Sequence, residues 1–309
     1  MLNRYLPEGR LLDTPENSLA CASPEGLAAA MGSEQVLEGR AVLCTPGHDL
    51  VVEVGPFTGT IPREEAALGI REGTAREIAI LSRVGKPVAF TVTELALSAR
   101  PPVLTLSRRR AQELALESLL DTPPGTVLPA TVTHLEPFGA FVDVGCGFVS
   151  MIGIENCSVS RISHPSCRFS MGQEILAVLT GGDRTERKVF LSHKELLGTW
   201  EENAARFAPG MTVPGIVRGI QPYGAFVELA PNLTGLAERT EGLQENDRVS
   251  VYIRSILPDR MKIKLNILHR LEPTFGPTPF SYSVTEGRIQ TWEYSPAAYR
   301  GEKVIRTFH

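Results

Sequence analysis

The sequence predicts a mainly β protein of small barrels in tandem, joined by short helical linkers, and three observations carry that expectation. One stretch recurs: Pro124-Gly125, Val132, Pro137 and Phe138-Gly139-Ala140-Phe141 return 85 residues later as Pro209-Gly210, Val217, Pro222 and Tyr223-Gly224-Ala225-Phe226. A fixed spacing of this kind marks a duplicated unit. Short apolar and β-branched runs bounded by Gly and Pro also follow one another from residue 38 onward, as the strands of small barrels do. Apolar residues at helical spacing appear in two short stretches between those runs.

The duplicated stretch opens as a strand. Val127, Leu128 and Val132 are its apolar positions, Thr131 and Thr133 favour β structure, and Pro123-Pro124-Gly125 is the turn before it. Residues three apart on a regular strand face opposite sides, which would split Phe138 and Phe141 between core and solvent. A β-bulge at Gly139 would reset the alternation and bring both rings to one face. Turned outward they form a stacking surface for bases, worth roughly 1–3 kcal/mol per base; turned inward they are ordinary core. The second copy favours the outward reading, because Tyr223 adds a hydroxyl that would need a partner if buried.

Taken in order, residues 1–33 read as an irregular leader broken by Pro7, Gly9, Pro15, Asn17, Pro24 and Gly26, with room for one short helix at 27–31. Residues 34–107 hold strand candidates at Val42-Leu43, 50–54, 78–81, 87–92 and 103–106, and so suggest a further barrel. Its close, Leu106-Ser107, lies 85 residues before Leu191-Ser192, but Thr45-Pro46-Gly47-His48 stands where the aromatic turn would fall. It reads as a related barrel without the stacking surface. Residues 108–123 form a helical linker behind Ser107, and its Arg108-Arg109-Arg110 run suits either a phosphate contact or a solvated first turn.

A second barrel follows at 124–192. The linker at 193–208 has Ser192 and Glu195 spaced as a capping box, then Leu196, Leu197, Trp200, Ala204 and Phe207 at helical spacing. A third barrel occupies 209–272. The extension at 273–309 passes Pro273, Gly276, Pro277 and Pro279 before Phe280, Tyr282, Trp292, Tyr294, Tyr299 and Phe308. Disordered tails are poor in aromatics, so this one is expected to pack, on the third barrel or on a partner.

Net charge is −4, and the acidity sits in the first third. Residues 1–107 hold 13 acidic and 9 basic side chains, 125–198 hold 7 and 6, and 210–272 hold 7 and 8. Near-neutral barrels can still hold nucleic acid if their basic residues cluster, with stacking carrying more of the affinity. Cys21, Cys44, Cys146, Cys157 and Cys167 are odd in number and contain no Cys-x-x-Cys pair, against a disulfide scaffold or a common zinc module. Three of them with His164 match no standard ligand spacing, so neither metal nor cofactor is expected. Cys157 with His164 is the nearest approach to a nucleophile and base, and no motif surrounds it, so no catalytic activity is expected. No apolar run approaches a membrane span and the N-terminus carries no export pattern, which places the protein in the cytoplasm without a membrane partner.

Two charged segments stand out in the second barrel. The first is the loop Arg161-Ile162-Ser163-His164-Pro165-Ser166-Cys167-Arg168, expected beside the aromatic turn. The second is the hairpin Asp183-Arg184-Thr185-Glu186-Arg187-Lys188, matched in the third barrel by the segment from Pro258 to Leu265. The pattern Gly125-x-Val127, Phe138-Gly139-Ala140-Phe141-Val142, Gly147-Phe148-Val149, His164-Pro165, Gly172-Gln173, Asp183 to Arg187 and Leu191-Ser192 resembles the S1 RNA-binding domain, a five-stranded OB-fold barrel of small-subunit ribosomal protein S1. Gly210, Tyr223-Gly224-Ala225-Phe226-Val227 and Gly235-Leu236-Ala237-Glu238 make the third barrel similar. The whole chain, with Pro62-Arg63-Glu64-Glu65 and Arg83-Val84-Gly85-Lys86, looks like the short S1 homologues of clostridia-like bacteria.

The resemblance implies that RNA crosses the barrel on two aromatics, a histidine, and an Asp and Arg of the last hairpin. By position these are Phe138 and Phe141, with Asp183 and Arg187; Ser150 stands at the histidine position. Tyr223 and Phe226 are the third barrel's aromatics, while Glu238 takes its histidine position and Leu257 and Met261 fall near its Asp and Arg positions. Arg161, His164 and Arg168 join these as candidate RNA contacts from the loop. The expected function is binding of single-stranded RNA, including mRNA, with little sequence specificity during translation. The expected partners are that RNA and the small ribosomal subunit, without a stable homo-oligomer. The alternative is a protein-interaction adaptor in RNA turnover or another RNA-associated complex, with the rings as hydrophobic anchors.

Overall fold

The computed structural model describes residues 5–96, 98–99, 103–272 and 280–309; the start of the leader and the breakers Pro273, Gly276, Pro277 and Pro279 lie outside the described residues. Two short helices come first, α1 (Pro15–Cys21) and α2 (Pro24–Gly32), each with a proline in its first turn and capped by the hydroxyls of Thr14 and Ser23. The leader is thus more helical than its breakers suggest: prolines at the first helical position start helices rather than break them.

Strands β1 (Leu37–Cys44), β2 (Leu50–Val54), β3 (Phe57–Ile61), β4 (Pro87–Ala96) and β5 (Val103–Ser107) close into a barrel of order β1-β2-β3-β5-β4. β3 and β5 run parallel, through Thr60 and Thr105, and the other pairs are antiparallel. Residues Ile78–Leu81, expected as a strand, form the short helix α3 instead. Only Ile80 of that run is buried, so it lacks the alternating face that pairing on a half-buried sheet needs. The third strand is Phe57–Ile61, where a Cβ on Gly59 would lie 2.6 Å from Leu106 Cδ1, so a larger residue would have to push the Leu106 side chain aside.

Helix α4 (Arg108–Asp121) is capped by Ser107, whose Oγ accepts from Arg110 N at 2.9 Å. The arginine run is neither solvated nor free for phosphate. Arg108 is buried against Glu8, with Nε donating to Oε1 at 2.6 Å; Arg109 pairs with Glu113 and Arg110 with Glu34. Ala111 and Ala115 pack with Ala89 of the first barrel and Cys146 of the second, and Leu116 and Leu119 enter the second barrel's core. Gln112 ties the two together, accepting from Leu68 N and donating to Gly147 O, both at 2.7 Å.

The second barrel uses β6 (Val127–Glu136), β7 (Gly139–Asp143), β8 (Val149–Gly153), β9 (Glu174–Asp183) and β10 (Lys188–Ser192), with helix α5 (Ile154–Cys157) after β8. The third uses β11 (Thr212–Gln221), β12 (Gly224–Ala230), β13 (Leu233–Ala237), β14 (Arg248–Leu257) and β15 (Lys262–Arg270). Both repeat the strand order of the first, and each barrel has its own core. The first strand of every barrel bulges at an equivalent place, around Val42, Thr133 and Arg218. Between the second and third barrels the helix is α6 (Trp200–Ala204), whose capping box is Thr199 with Glu202. Ser192 does not cap it: Ser192 ends β10 fully buried, and Glu195 is taken up by Arg306.

The aromatic extension packs on both neighbouring barrels. Trp292 and Tyr294 join the third barrel's core, and Tyr282 and Phe308 pack with Val127 and Val178 of the second and with Leu196 of the linker after it. Strands β16 (Thr291–Glu293) and β17 (Ile305–Thr307) pair with each other within it.

Candidate nucleic-acid interface

Phe138 is 56% exposed and Phe141 half-buried, and their rings meet edge to face with centroids 6.1 Å apart at 86°. The bulge that helps to present them is not at Gly139. It lies across the hairpin at Thr133 in β6, and Phe138 escapes the strand alternation because Pro137 and Phe138 form the two-residue turn from β6 to β7. Gly139 serves close approach, since a Cβ there would sit 2.7 Å from the Ile152 carbonyl oxygen. Tyr223, 68% exposed, and Phe226 repeat the arrangement at 6.2 Å and 89°, and a Cβ on Gly224 would collide with the Ala237 carbonyl.

The second barrel's platform extends past the two rings. Met151 is the registered partner of Phe141, and Phe190 directly precedes Leu191, which pairs in parallel with Ile152. Both side chains are exposed, so Phe138, Phe141, Met151 and Phe190 form an apolar stripe across β7, β8 and β10. His134 adds a third ring at 6.3 Å from Phe141, tilted 37° and hydrogen-bonded through Nε2 to Glu136. Met151 and Phe190 carry a sequence signal, since each falls on an outward position of a period-two strand; His134 shares the parity of buried Leu128, Ala130 and Val132 and is turned outward only by the bulge at Thr133. In the third barrel Leu236 and Lys264 occupy the places of Met151 and Phe190.

The hairpin residues also have structural duties. Asp183 Oδ1 accepts from the backbone N–H groups of Thr185 and Glu186, shaping the turn. Arg187 sits at φ 52° and reaches Glu113 at 3.4 Å. Met261 holds the same left-handed position in the third barrel at φ 50°. Ser150, at the histidine position, donates to Val189 O at 2.7 Å.

The loop is where the sequence expectation needs correcting. Arg168 is only 3% exposed: Nη1 donates to Glu228 Oε1 at 2.9 Å, Nη2 to Oε2, and Nε to Ser158 Oγ at 3.0 Å. It ties the second barrel to the third and is not an RNA contact. His164 Nδ1 accepts from Ser166 N, capping one short turn. Arg161 is exposed, but it lines a cleft with Tyr223 and Phe226 of the third barrel rather than lying beside Phe138.

A closed barrel of this strand order with rings turned outward on one face defines an oligonucleotide-binding, or OB, fold. Residues 121–194 match the family model of the S1 RNA binding domain, so the second barrel is an S1-type domain, and the chain as a whole is similar to small ribosomal subunit protein bS1. It is 33% identical over 158 residues to that protein from Chlamydia muridarum, covering 47% of this chain and 28% of the relative. It is 32% identical over 209 residues to the Bacillus subtilis bS1 homolog, covering 62% and 53%. Against bS1 of Mycobacterium tuberculosis it is 28% identical over 307 residues, covering 97% and 60%. The chain therefore spans from about a quarter to three fifths of the length of these relatives.

Proposed function

We propose that the chain binds single-stranded RNA, mRNA included, with little sequence discrimination, and does so at the small ribosomal subunit during translation. The observation that carries this is the pair of perpendicular ring platforms, Phe138 with Phe141 and Tyr223 with Phe226, facing outward at equivalent turns of two barrels. Stacking accepts any base, and two weak sites on one chain gain avidity when both engage. The similarity to bS1 supports the ribosomal setting. We place the protein in the cytoplasm as a non-catalytic monomer; among the described residues no helix is long and apolar enough to cross a membrane. Cys157 suits no nucleophile's role, for burial pushes its thiol up to about 12.

Titration of labelled single-stranded RNA against the wild type and a Phe138→Ala/Phe141→Ala variant tests the reading, together with co-sedimentation on small subunits before and after a high-salt wash. Weaker RNA binding by the variant and salt-labile sedimentation are expected. Equal RNA affinity of the two chains would instead favour an adaptor that uses the rings to hold protein.

A further inference from the structure

We infer that the cleft between the second and third barrels is a composite nucleotide site, in which a base of single-stranded RNA stacks on Tyr223 while Arg161, supplied by the preceding barrel, takes its phosphate. The inference deepens the RNA-binding reading and rests on it. The cleft measures about 700 Å3, inside the roughly 300–1,000 Å3 range of ligand sites. Tyr223 and Phe226 form one wall and the segment carrying Arg161 faces them.

The third barrel's hairpin has no arginine at the position of Arg187: its Arg260 stands one residue earlier, beside Asp259 and outside the lining of the cleft. Met261 occupies the position of Arg187, in the same left-handed conformation, and it lines this cleft. Arg161 brings the missing charge from the other side. Among the described residues it has no hydrogen-bond or ion-pair partner. Arg218 also lines the cleft, but Glu228 and Asn246 occupy its guanidinium at 3.1 and 2.8 Å, which leaves Arg161 as the unpaired cation among the described residues that line the cleft. Glu245 on the rim offsets part of it, so the site favours stacking first and phosphate second. Exposed Gln221 offers an amide that can donate or accept at a base edge.

The segment before Arg161 is pinned to the third barrel. Val159 N donates to Asn232 Oδ1 at 2.9 Å, Ser160 N to Pro231 O at 3.3 Å, and Thr234 Oγ1 to Ser160 Oγ at 2.7 Å. The next residue is therefore held over the cleft, which lowers the ordering cost of binding there.

The test uses the full chain carrying Phe138→Ala/Phe141→Ala, so that the second barrel's platform is removed, and a labelled oligouridylate read by fluorescence anisotropy across a salt series. In this parent, Arg161→Ala is expected to weaken binding about tenfold and to lower the salt slope by about one, with Arg161→Lys keeping the slope. Tyr223→Ala is expected to weaken binding at least about fivefold with the slope unchanged. Both side chains are exposed, so thermal melting should not move. An Arg161→Ala chain with the parent's affinity and slope overturns the composite site, as does a parent that binds no RNA while the wild type does. Failure of the wild type to bind RNA would take down the broader reading as well.

Discussion

Arg168 of the second barrel and Glu228 of the third form a buried two-pronged ion pair, and Arg218 closes on the same carboxylate at 3.1 Å. Removing Arg168 breaks the bonds that cross the interface but leaves Glu228 paired with Arg218 of its own barrel, so the cost should fall below the roughly 3–5 kcal/mol of a fully stranded buried charge. Arg168→Met should therefore lower the unfolding midpoint and let the two barrels separate, seen as a larger radius of gyration in small-angle scattering. The double change Arg168→Met/Glu228→Gln should not recover the loss, because it leaves the buried Arg218 guanidinium without its carboxylate. An unchanged midpoint and radius in Arg168→Met would show that the pair does not hold the barrels together.

The stripe across β7, β8 and β10 adds Phe190 to the second barrel's exposed platform, although it lies far from Phe138 in sequence, and the proposed RNA binding gives it a testable role. It is 52% exposed, so Phe190→Ala should reduce RNA affinity about fivefold or more while leaving the melting temperature within a few degrees. Lys188→Ala, on the same strand and exposed, serves as the comparison: it should flatten the salt dependence of binding without removing stacking. A Phe190→Ala chain with wild-type affinity would confine the platform to Phe138 and Phe141.

The ring pairs were legible in the sequence because a repeat at constant offset carries its own register, and a hydroxyl on one copy argues for exposure of both. Long-range partners were not. Nothing local in Arg108-Arg109-Arg110 points to Glu8 or Glu34, and nothing in the 161–168 loop points to Glu228, sixty residues beyond Arg168. The loop was expected beside Phe138 because it belongs to that barrel. It lies against Tyr223 because Ser160 and Arg168 make their bonds across the interface. Residues 78–81 misled for a different reason, since a short apolar run has no period by which to tell strand from helix.

His193 predicts how stability responds to acid. Its ring is buried among Phe169, Phe280 and Tyr282, with Nδ1 against the Cys157 carbonyl at 2.9 Å and Nε2 against Tyr282 Oη at 3.2 Å. A neutral ring satisfies both contacts, donating from Nδ1 to the carbonyl and accepting at Nε2 from the Tyr282 hydroxyl. Burial, opposed by the carbonyl bond, holds its pKa down to about 4. The unfolded chain takes up a proton below about pH 6.5, whereas the folded chain resists until about pH 4. Stability should fall as pH drops through that window, by roughly 3 kcal/mol at its lower end. Urea midpoints measured from pH 7 to pH 4 should show a shallower decline in His193→Gln; identical slopes would exclude this ring as the source.

Arg306 and Glu195 predict that the extension is structural. Glu195 is fully buried; its Oε1 accepts from Arg306 Nη1 at 2.7 Å, and its Oε2 has no hydrogen-bond partner among the described residues. The Arg306 guanidinium also lies 5.6 Å from the centre of the Phe308 ring, which fills the space beside Val127, Val178 and Leu196. Arg306→Ala leaves the Glu195 carboxylate without its countercharge and should cost about 3 kcal/mol, whereas Glu195→Gln/Arg306→Ala should cost less than the single change. Phe308→Ala should cost about 3–5 kcal/mol through the cavity it opens. Denaturant midpoints of the wild type, Glu195→Gln, Arg306→Ala, the double variant and Phe308→Ala measure the coupling; additive losses for Glu195 and Arg306 would show that the extension rests on the barrels without being locked to them.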